Sequence, residues 1–189
     1  MYKAIIFDFF DVIRTDAYKA WLDLHGLKRE GVFKDVVEEM DHGHIKLEQF
    51  LQRLSDITGQ TPEEIFKEME DGALLDHEVL RIAEMLRINY KVALLSNAPS
   101  DFLRSLLREH DLEKYFDEIV ISSEVGLIKP NAEIFQLILT RLDVTPHEAI
   151  FIDDNENNTK GAEAVGIKSV LFTDSANLMN SLKELHIQQ

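Results

Sequence analysis

Asp8 closes a short apolar run, Ala4-Ile5-Ile6-Phe7, near the start of the chain. Such a run reads as a buried strand of a parallel sheet. Ligands of open α/β sheets sit beyond the carboxyl ends of those strands, so Asp8 is a carboxylate delivered to the place where chemistry happens. Three later segments carry further polar groups. Val92-Ala93-Leu94-Leu95 ends in Ser96 and Asn97, a hydroxyl and an amide. Gly126-Leu127-Ile128 leads to Lys129, a lysine ahead of a helix expected to start at Pro130. Ala149-Ile150-Phe151-Ile152 ends in the paired carboxylates Asp153 and Asp154. Carboxylates serve as nucleophiles or as ligands of a hard cation, and a lysine among them balances their charge.

In this order and spacing the four segments resemble the motifs of the haloacid dehalogenase-like hydrolase superfamily, first cap class. Within it the chain looks most like the group of sugar phosphatases and epoxide-hydrolase N-terminal domains. The resemblance covers essentially the whole chain. It implies that Asp8 is a nucleophile that forms an aspartyl-phosphate, splitting one hard displacement into two easier ones. It implies Mg²⁺ held by Asp8, Asp154 and the backbone carbonyl of Phe10, with Asp153 ordering metal-bound water. Lys129 would balance the carboxylates and orient Asp8. Ser96, with nearby backbone N–H groups, would bind the transferring phosphoryl oxygens. Asn97 and Asn158 would support the site, Asn97 also on the substrate side. Arg14 and Lys46 are the cations expected to approach substrate.

One position departs from the pattern. Phosphatases of this superfamily carry Asp two residues after the nucleophile, as acid to the leaving group and base to the attacking water. Here that position is Phe10, which can do neither, and such help is worth about 10² to 10⁴ in rate. Asp11 follows and could substitute if the turn shifted register. Some phosphatase groups also lack this Asp, with patterns like Asp-x-Gly-x-Val, and Asp8-Phe9-Phe10-Asp11-Val12 is closest to those. The leading expectation is a phosphatase of a small phosphorylated metabolite. The alternatives are a catalytically degenerate fold kept for binding or regulation, and a 2-haloacid dehalogenase-type hydrolase. Dehalogenases place an aromatic residue at this position but need no metal, and Asp153–Asp154 argues for one.

The elements that position these groups follow from periodicity. Apolar, β-branched runs at 3–7, 91–95, 118–122, 149–153 and 168–172 alternate with helical segments. That predicts a three-layer α/β/α parallel sheet of Rossmann-like type, with its first strand central. Ser100 is expected to cap a helix through Leu107. Thr145-Pro146-His147-Glu148 reads as a capping box opening another. More than 80 residues separate the first two strands, far more than one crossover needs. Val32, Phe33, Val36, Val37 and Met40, then Leu47, Phe50, Leu51 and Leu54, repeat at helical spacing, and Thr61-Pro62-Glu63-Glu64 opens a further helix. The predicted division is an α/β core of 1–16 and 87–189 with a helical cap of 17–86.

Bulk properties narrow the options. A net charge of −15 over 189 residues repels phosphate backbones, which excludes nucleic-acid binding and obliges a phosphorylated substrate to find a local cation. No apolar run approaches the roughly 18 residues that span a bilayer. The N-terminus lacks a signal pattern and the chain has no cysteine, so a cytoplasmic location without disulfides or thiolate metal sites is expected. Asp153-Asp154-Asn155-Glu156-Asn157 mimics half an EF-hand loop, but Asn158 and Ala164 stand where glycine and glutamate are needed. His42-Gly43-His44 reads as a turn of the cap rather than a zinc site.

Overall fold

The computed structural model describes residues 1–187. Its centre is a five-stranded, all-parallel sheet of order β3-β2-β1-β4-β5, with β1 (Ala4–Phe7) in the middle. The other strands are β2 (Lys91–Ser96), β3 (Glu118–Ile121), β4 (Ala149–Asp153) and β5 (Lys168–Leu171), within a residue or two of the apolar runs. Phe7 pairs with Leu94 on one side and Ile152 on the other. This register places the ends of β1, β2 and β4 side by side.

Alternation along the strands divides the core in two. Ile5, Phe7, Val92, Leu94, Ile150 and Ile152 face one helical layer, formed by α5 (His77–Leu86), α6 (Ser100–Glu109) and α10 (Ser175–Glu184). Ala4, Ile6, Ala93, Leu95, Ala149 and Phe151 face α8 (Ala132–Leu142) and α9 (Glu156–Ala164). Strands buried on both faces explain why they read as continuous apolar runs. Each fully buried Leu, Ile or Phe contributes roughly 1.5–3 kcal/mol of transfer free energy.

The long interval after β1 folds as helices. α1 (Ala17–Leu24), α2 (Val32–Asp41), α3 (Leu47–Thr58) and α4 (Pro62–Asp71) bury Trp21, Val37, Phe50, Leu54 and Ile65 in a core of their own. The chain leaves and returns through one narrow connection. Thr15 N–H donates to the Leu74 carbonyl (3.0 Å) and Asp76 N–H to that of Ile13 (2.8 Å). α5 follows this connection and packs on the sheet, so packing groups it with the strands rather than with α1–α4.

Three local expectations are corrected. Thr145–Glu148 does form a capping box, but it starts only a 3₁₀ turn, Pro146–Glu148, because β4 begins at Ala149. The N-cap of α6 is Pro99, not Ser100; Ser100 is already helical, and its orphan N–H donates to Ser123 Oγ at 2.8 Å. Pro130 precedes α8 rather than starting it, since Asn131 is the N-cap. Two glycines allow contacts that no other residue would permit. A Cβ at Gly161 would lie 2.5 Å from the Pro130 carbonyl, so its absence lets α9 press against the Lys129–Pro130 loop. A Cβ at Gly43, at φ +78°, would lie 2.9 Å from Ser123 Cβ, so the turn after α2 rests directly on α7 (Ser122–Val125).

Candidate active site

Asp8 extends the β1 ladder by one bond, its N–H donating to the Ile152 carbonyl at 2.9 Å. Its Oδ1 is doubly held, by the Phe9 N–H and by Lys129 Nζ, both at 2.7 Å. Its Oδ2 accepts no hydrogen bond among the described residues, and the residue lines a cavity. Burial drives the Asp8 carboxyl well above its ordinary range; the Lys129 charge opposes that and Asp153 adds to it.

Lys129 bridges two strands' ends. Its buried ammonium also donates to Asp153 Oδ2 at 2.7 Å. Burial alone would lower its pKa, but Asp153 and Asp8 outweigh that and raise it, so the lysine stays charged. Asn97 fixes the loop that carries it: Asn97 Oδ1 accepts the Lys129 N–H (2.9 Å) and its Nδ2 donates to the Lys129 carbonyl (3.0 Å). The side chain thus completes both backbone bonds a neighbouring strand would supply.

Asp153 has no lone pair to spare for an ion without losing a partner. Its Oδ1 accepts the Asn155 N–H (2.8 Å) and Asn158 Nδ2 (3.1 Å), while Oδ2 takes Lys129 and the same Asn158 amide. Asp154 is the opposite case. It lines the cavity and accepts no hydrogen bond among the described residues. Burial, then Asp153 and Asp11, push its carboxyl up to about 6. Asp8, Asp153 and Asp154 each place one carboxylate oxygen within 4.8 Å of the others. Three buried or half-buried carboxylates against one lysine leave negative charge uncompensated, and all-oxygen donors suit a hard divalent cation.

The cavity has a volume of about 880 Å³ and lies between the strand ends and α1–α4. Lys19, Arg29 and Lys34 enter it from the helical side and Lys160 from the core, with Tyr18, Phe50 and Phe102 as aromatic walls. None of these cations lies at a strand end: Lys19, Lys34 and Lys160 stand on helices and Arg29 in the loop between α1 and α2, so only their place on polar, exposed stretches marks them in the sequence. Phe10 lines the cavity, its ring edge-on to Phe9 at 5.1 Å between centroids. Asp11 sits in a left-handed turn (φ +55°), with Oδ1 bound to the Asp16 N–H at 2.8 Å and Oδ2 paired with Lys19.

The remaining expected contacts lie elsewhere. Ser96 ends β2 fully buried, its hydroxyl without a partner among the described residues, behind the cavity wall formed by Asn97. Arg14 does not line this cavity; its buried guanidinium donates through Nη2 alone to both Glu70 carboxylate oxygens (2.9 and 2.8 Å) and lies near the Phe102 ring, while Nη1 has no partner among the described residues. Lys46 is the exposed N-cap of α3 and does not line it either. Among the described residues no helix is long and apolar enough to cross a membrane.

Comparison with known proteins places this geometry. A family model of haloacid dehalogenase-like hydrolases matches residues 2–166. The chain is 32% identical over 145 residues to a phosphorylated carbohydrates phosphatase of Thermotoga maritima, covering 76% of this chain and 62% of that protein. It is 29% identical over 156 residues to a phosphoserine phosphatase of Thermus thermophilus, covering 82% and 57%. The chain therefore spans about three fifths of the length of these curated relatives. A HAD-like family hydrolase from Porphyromonas gingivalis superposes with a TM-score of 0.79 over all of both chains at 22% identity. A HAD family enzyme of Bacteroides thetaiotaomicron, in complex with magnesium and inorganic phosphate, superposes at 0.75 over 94% of this chain and 99% of that one, at 21% identity. Identities this low bear on the fold alone.

Proposed function

The chain belongs to the haloacid dehalogenase-like hydrolases, and on that premise we propose that it is a Mg²⁺-dependent phosphatase of a small phosphorylated metabolite, acting through Asp8. One observation carries the reading: Asp8 Oδ1 is fixed by Lys129 and the Phe9 N–H while Oδ2 is left free at the cavity. A nucleophile needs one oxygen oriented and the other available. Oδ2 attacks phosphorus, the bond to the leaving oxygen breaks, and that oxygen departs with the electron pair. Water then attacks the aspartyl-phosphate, releasing inorganic phosphate and the Asp8 carboxylate.

Mg²⁺ would be held by Asp8, Asp154 and the Phe10 carbonyl, and when bound it would neutralise phosphoryl charge beside the nucleophile. The fit rests on Asp154, whose carboxylate is open, and on Asp153, whose oxygens are already taken by Lys129, Asn155 and Asn158. Asp153 and Asn158 position rather than ligate. Arg14, tied to Glu70, holds α4 against the connection instead of touching substrate. We read α1–α4 as a cap that covers the cavity and chooses the substrate. The cations and aromatic walls at its face fit a phosphorylated metabolite of sugar-phosphate size. The carboxylate cluster favours phosphoryl transfer over carbon–halogen hydrolysis, for which it has no use.

The test is phosphate release from a panel of phosphomonoesters with Mg²⁺ and with chelator. Metal-dependent release that Asp8→Asn abolishes is the expected result. Absence of release across the panel from folded protein that also binds no Mg²⁺ would refute the reading.

A further inference from the structure

Phe10 leaves the phosphatase reading, on which this inference rests, without a proton donor for the leaving group. The cavity offers candidates. Beyond Asp8 and Asp154, its carboxyl groups belong to Asp11, Asp16, Glu38, Asp41 and Glu70. Four of these are committed elsewhere. Asp11 pairs with Lys19 and accepts the Asp16 N–H. Asp16 caps α1 through the N–H groups of Tyr18 and Lys19, and its other oxygen meets Arg29 at 3.1 Å. Glu70 chelates Arg14. Glu38 is an exposed partner of Lys34 at 3.5 Å.

Asp41 differs from all of them. It is the last residue of α2, buried yet open to the cavity, and its carboxyl accepts no hydrogen bond among the described residues. The cation paired with it, Arg29, is 3.8 Å away, beyond hydrogen-bond reach. Its backbone is clamped to the strand ends. The Ser122 hydroxyl donates to the Asp41 carbonyl at 2.5 Å, while Ser122 Oγ accepts the Ala98 N–H at 3.0 Å. Gly43 then seats the following turn on Ser123. The end of α2 is thereby fastened where β2 and β3 deliver their carboxyl ends, and the Asp41 carboxyl opens into the cavity that Asp8 also lines, within reach of the charge of Lys129, the lysine that holds Asp8.

We propose that Asp41 is the catalytic acid and base that Phe10 displaces from the usual position. Protonated, Asp41 gives its proton to the leaving oxygen as the Asp8–phosphorus bond forms and the phosphorus–leaving-oxygen bond breaks. As a carboxylate it then takes a proton from the water whose oxygen bonds to phosphorus as the Asp8–phosphorus bond breaks. Protons and charge balance over the cycle, with no co-reactant beyond water.

The electrostatics of the pocket agree. Burial pushes the Asp41 carboxyl up to about 7; Arg29 and Lys129 pull it down, and Asp16 and Glu38 push it further up. A group titrating there holds both forms near neutral pH, as an acid that must become a base requires.

The experiment compares wild type with Asp41→Asn on two probes, p-nitrophenyl phosphate and an alkyl phosphate monoester from the panel, in the presence of Mg²⁺. Asparagine keeps the shape and removes the transferable proton. For the alkyl ester kcat/KM is expected to fall by about 10²- to 10⁴-fold, and the wild-type decline above pH 7 to disappear. With p-nitrophenyl phosphate, whose leaving group needs little protonation, a rapid burst of one equivalent followed by a slow phase is expected, because only the second step still lacks its base. Phe10→Asp added to Asp41→Asn is expected to recover alkyl-ester turnover at least about ten-fold. Alkyl turnover within about three-fold of wild type would overturn the proposal. Equal losses on both probes, with a raised KM and no burst, would overturn it too, by making Asp41 a binding residue. A wild type that hydrolyses no phosphomonoester would instead refute the phosphatase reading itself.

Discussion

Asp41→Asn should also change the pH dependence of folding, independently of any substrate. The Asp41 carboxyl sits at about 7 in the folded protein against an ordinary 3.8. Below pH ~3.8 both folded and unfolded chains hold the proton and the group is neutral to stability. Between pH ~4 and ~7 the folded chain binds the proton more tightly than the unfolded one, so stability falls as pH rises. Above pH ~7 the full cost is present. At 1.36 kcal/mol per pKa unit, the shift bounds that cost at about 4 kcal/mol. Water reaching the carboxyl through the cavity reduces it, and about 2 kcal/mol is a reasonable expectation. Urea unfolding of wild type and Asp41→Asn, with chelator, gives their stability difference at each pH. Asp8 and Asp154 are common to both proteins and cancel. The difference should favour the variant increasingly from pH 4 to 7 and then level off. A difference independent of pH, or one favouring wild type at pH 8, would refute the burial argument.

Lys129→Met should destabilise the metal-free protein at pH 7 by about 3–5 kcal/mol, measured by urea unfolding, because Asp8 and Asp153 lose their counter-charge. Gly161→Ala should cost roughly 1–3 kcal/mol in the same assay and lower phosphatase rate, since its Cβ would displace the Pro130 carbonyl and with it Lys129. Asn97→Ala should lower kcat more than it raises KM, as seen in steady-state kinetics, because it frees the Lys129 loop without removing a substrate contact. Mg²⁺ should raise the melting temperature of wild type but not of Asp154→Asn, a shift readable by scanning calorimetry.

The strands, their order of burial and the groups at their ends were legible because a parallel sheet buried on both faces writes itself as apolar runs ending in polar residues. Asp8 and Asp153 come together as their positions at strand exits imply, while Lys129 reaches them from the loop after α7, which Asn97 braces. Arg14 misled because proximity to β1 in sequence says nothing of a partner 56 residues on, Glu70. Thr145–Glu148 misled because a capping box signals a helical turn without fixing how long it continues. Asp41 left no trace in sequence patterning. It sits at the end of an amphipathic helix, and only tertiary packing buries its carboxyl against the site.

Asp8 is the residue proposed to carry the phosphoryl group through turnover. Intact-protein mass spectrometry of samples acid-quenched during turnover of p-nitrophenyl phosphate with Mg²⁺ tests it most directly. The wild type should carry one added phosphoryl group mapped to Asp8, accumulating further in Asp41→Asn and missing from Asp8→Asn. Phosphate release by an Asp8→Asn protein at the wild-type rate, with no covalent adduct in either, would contradict it.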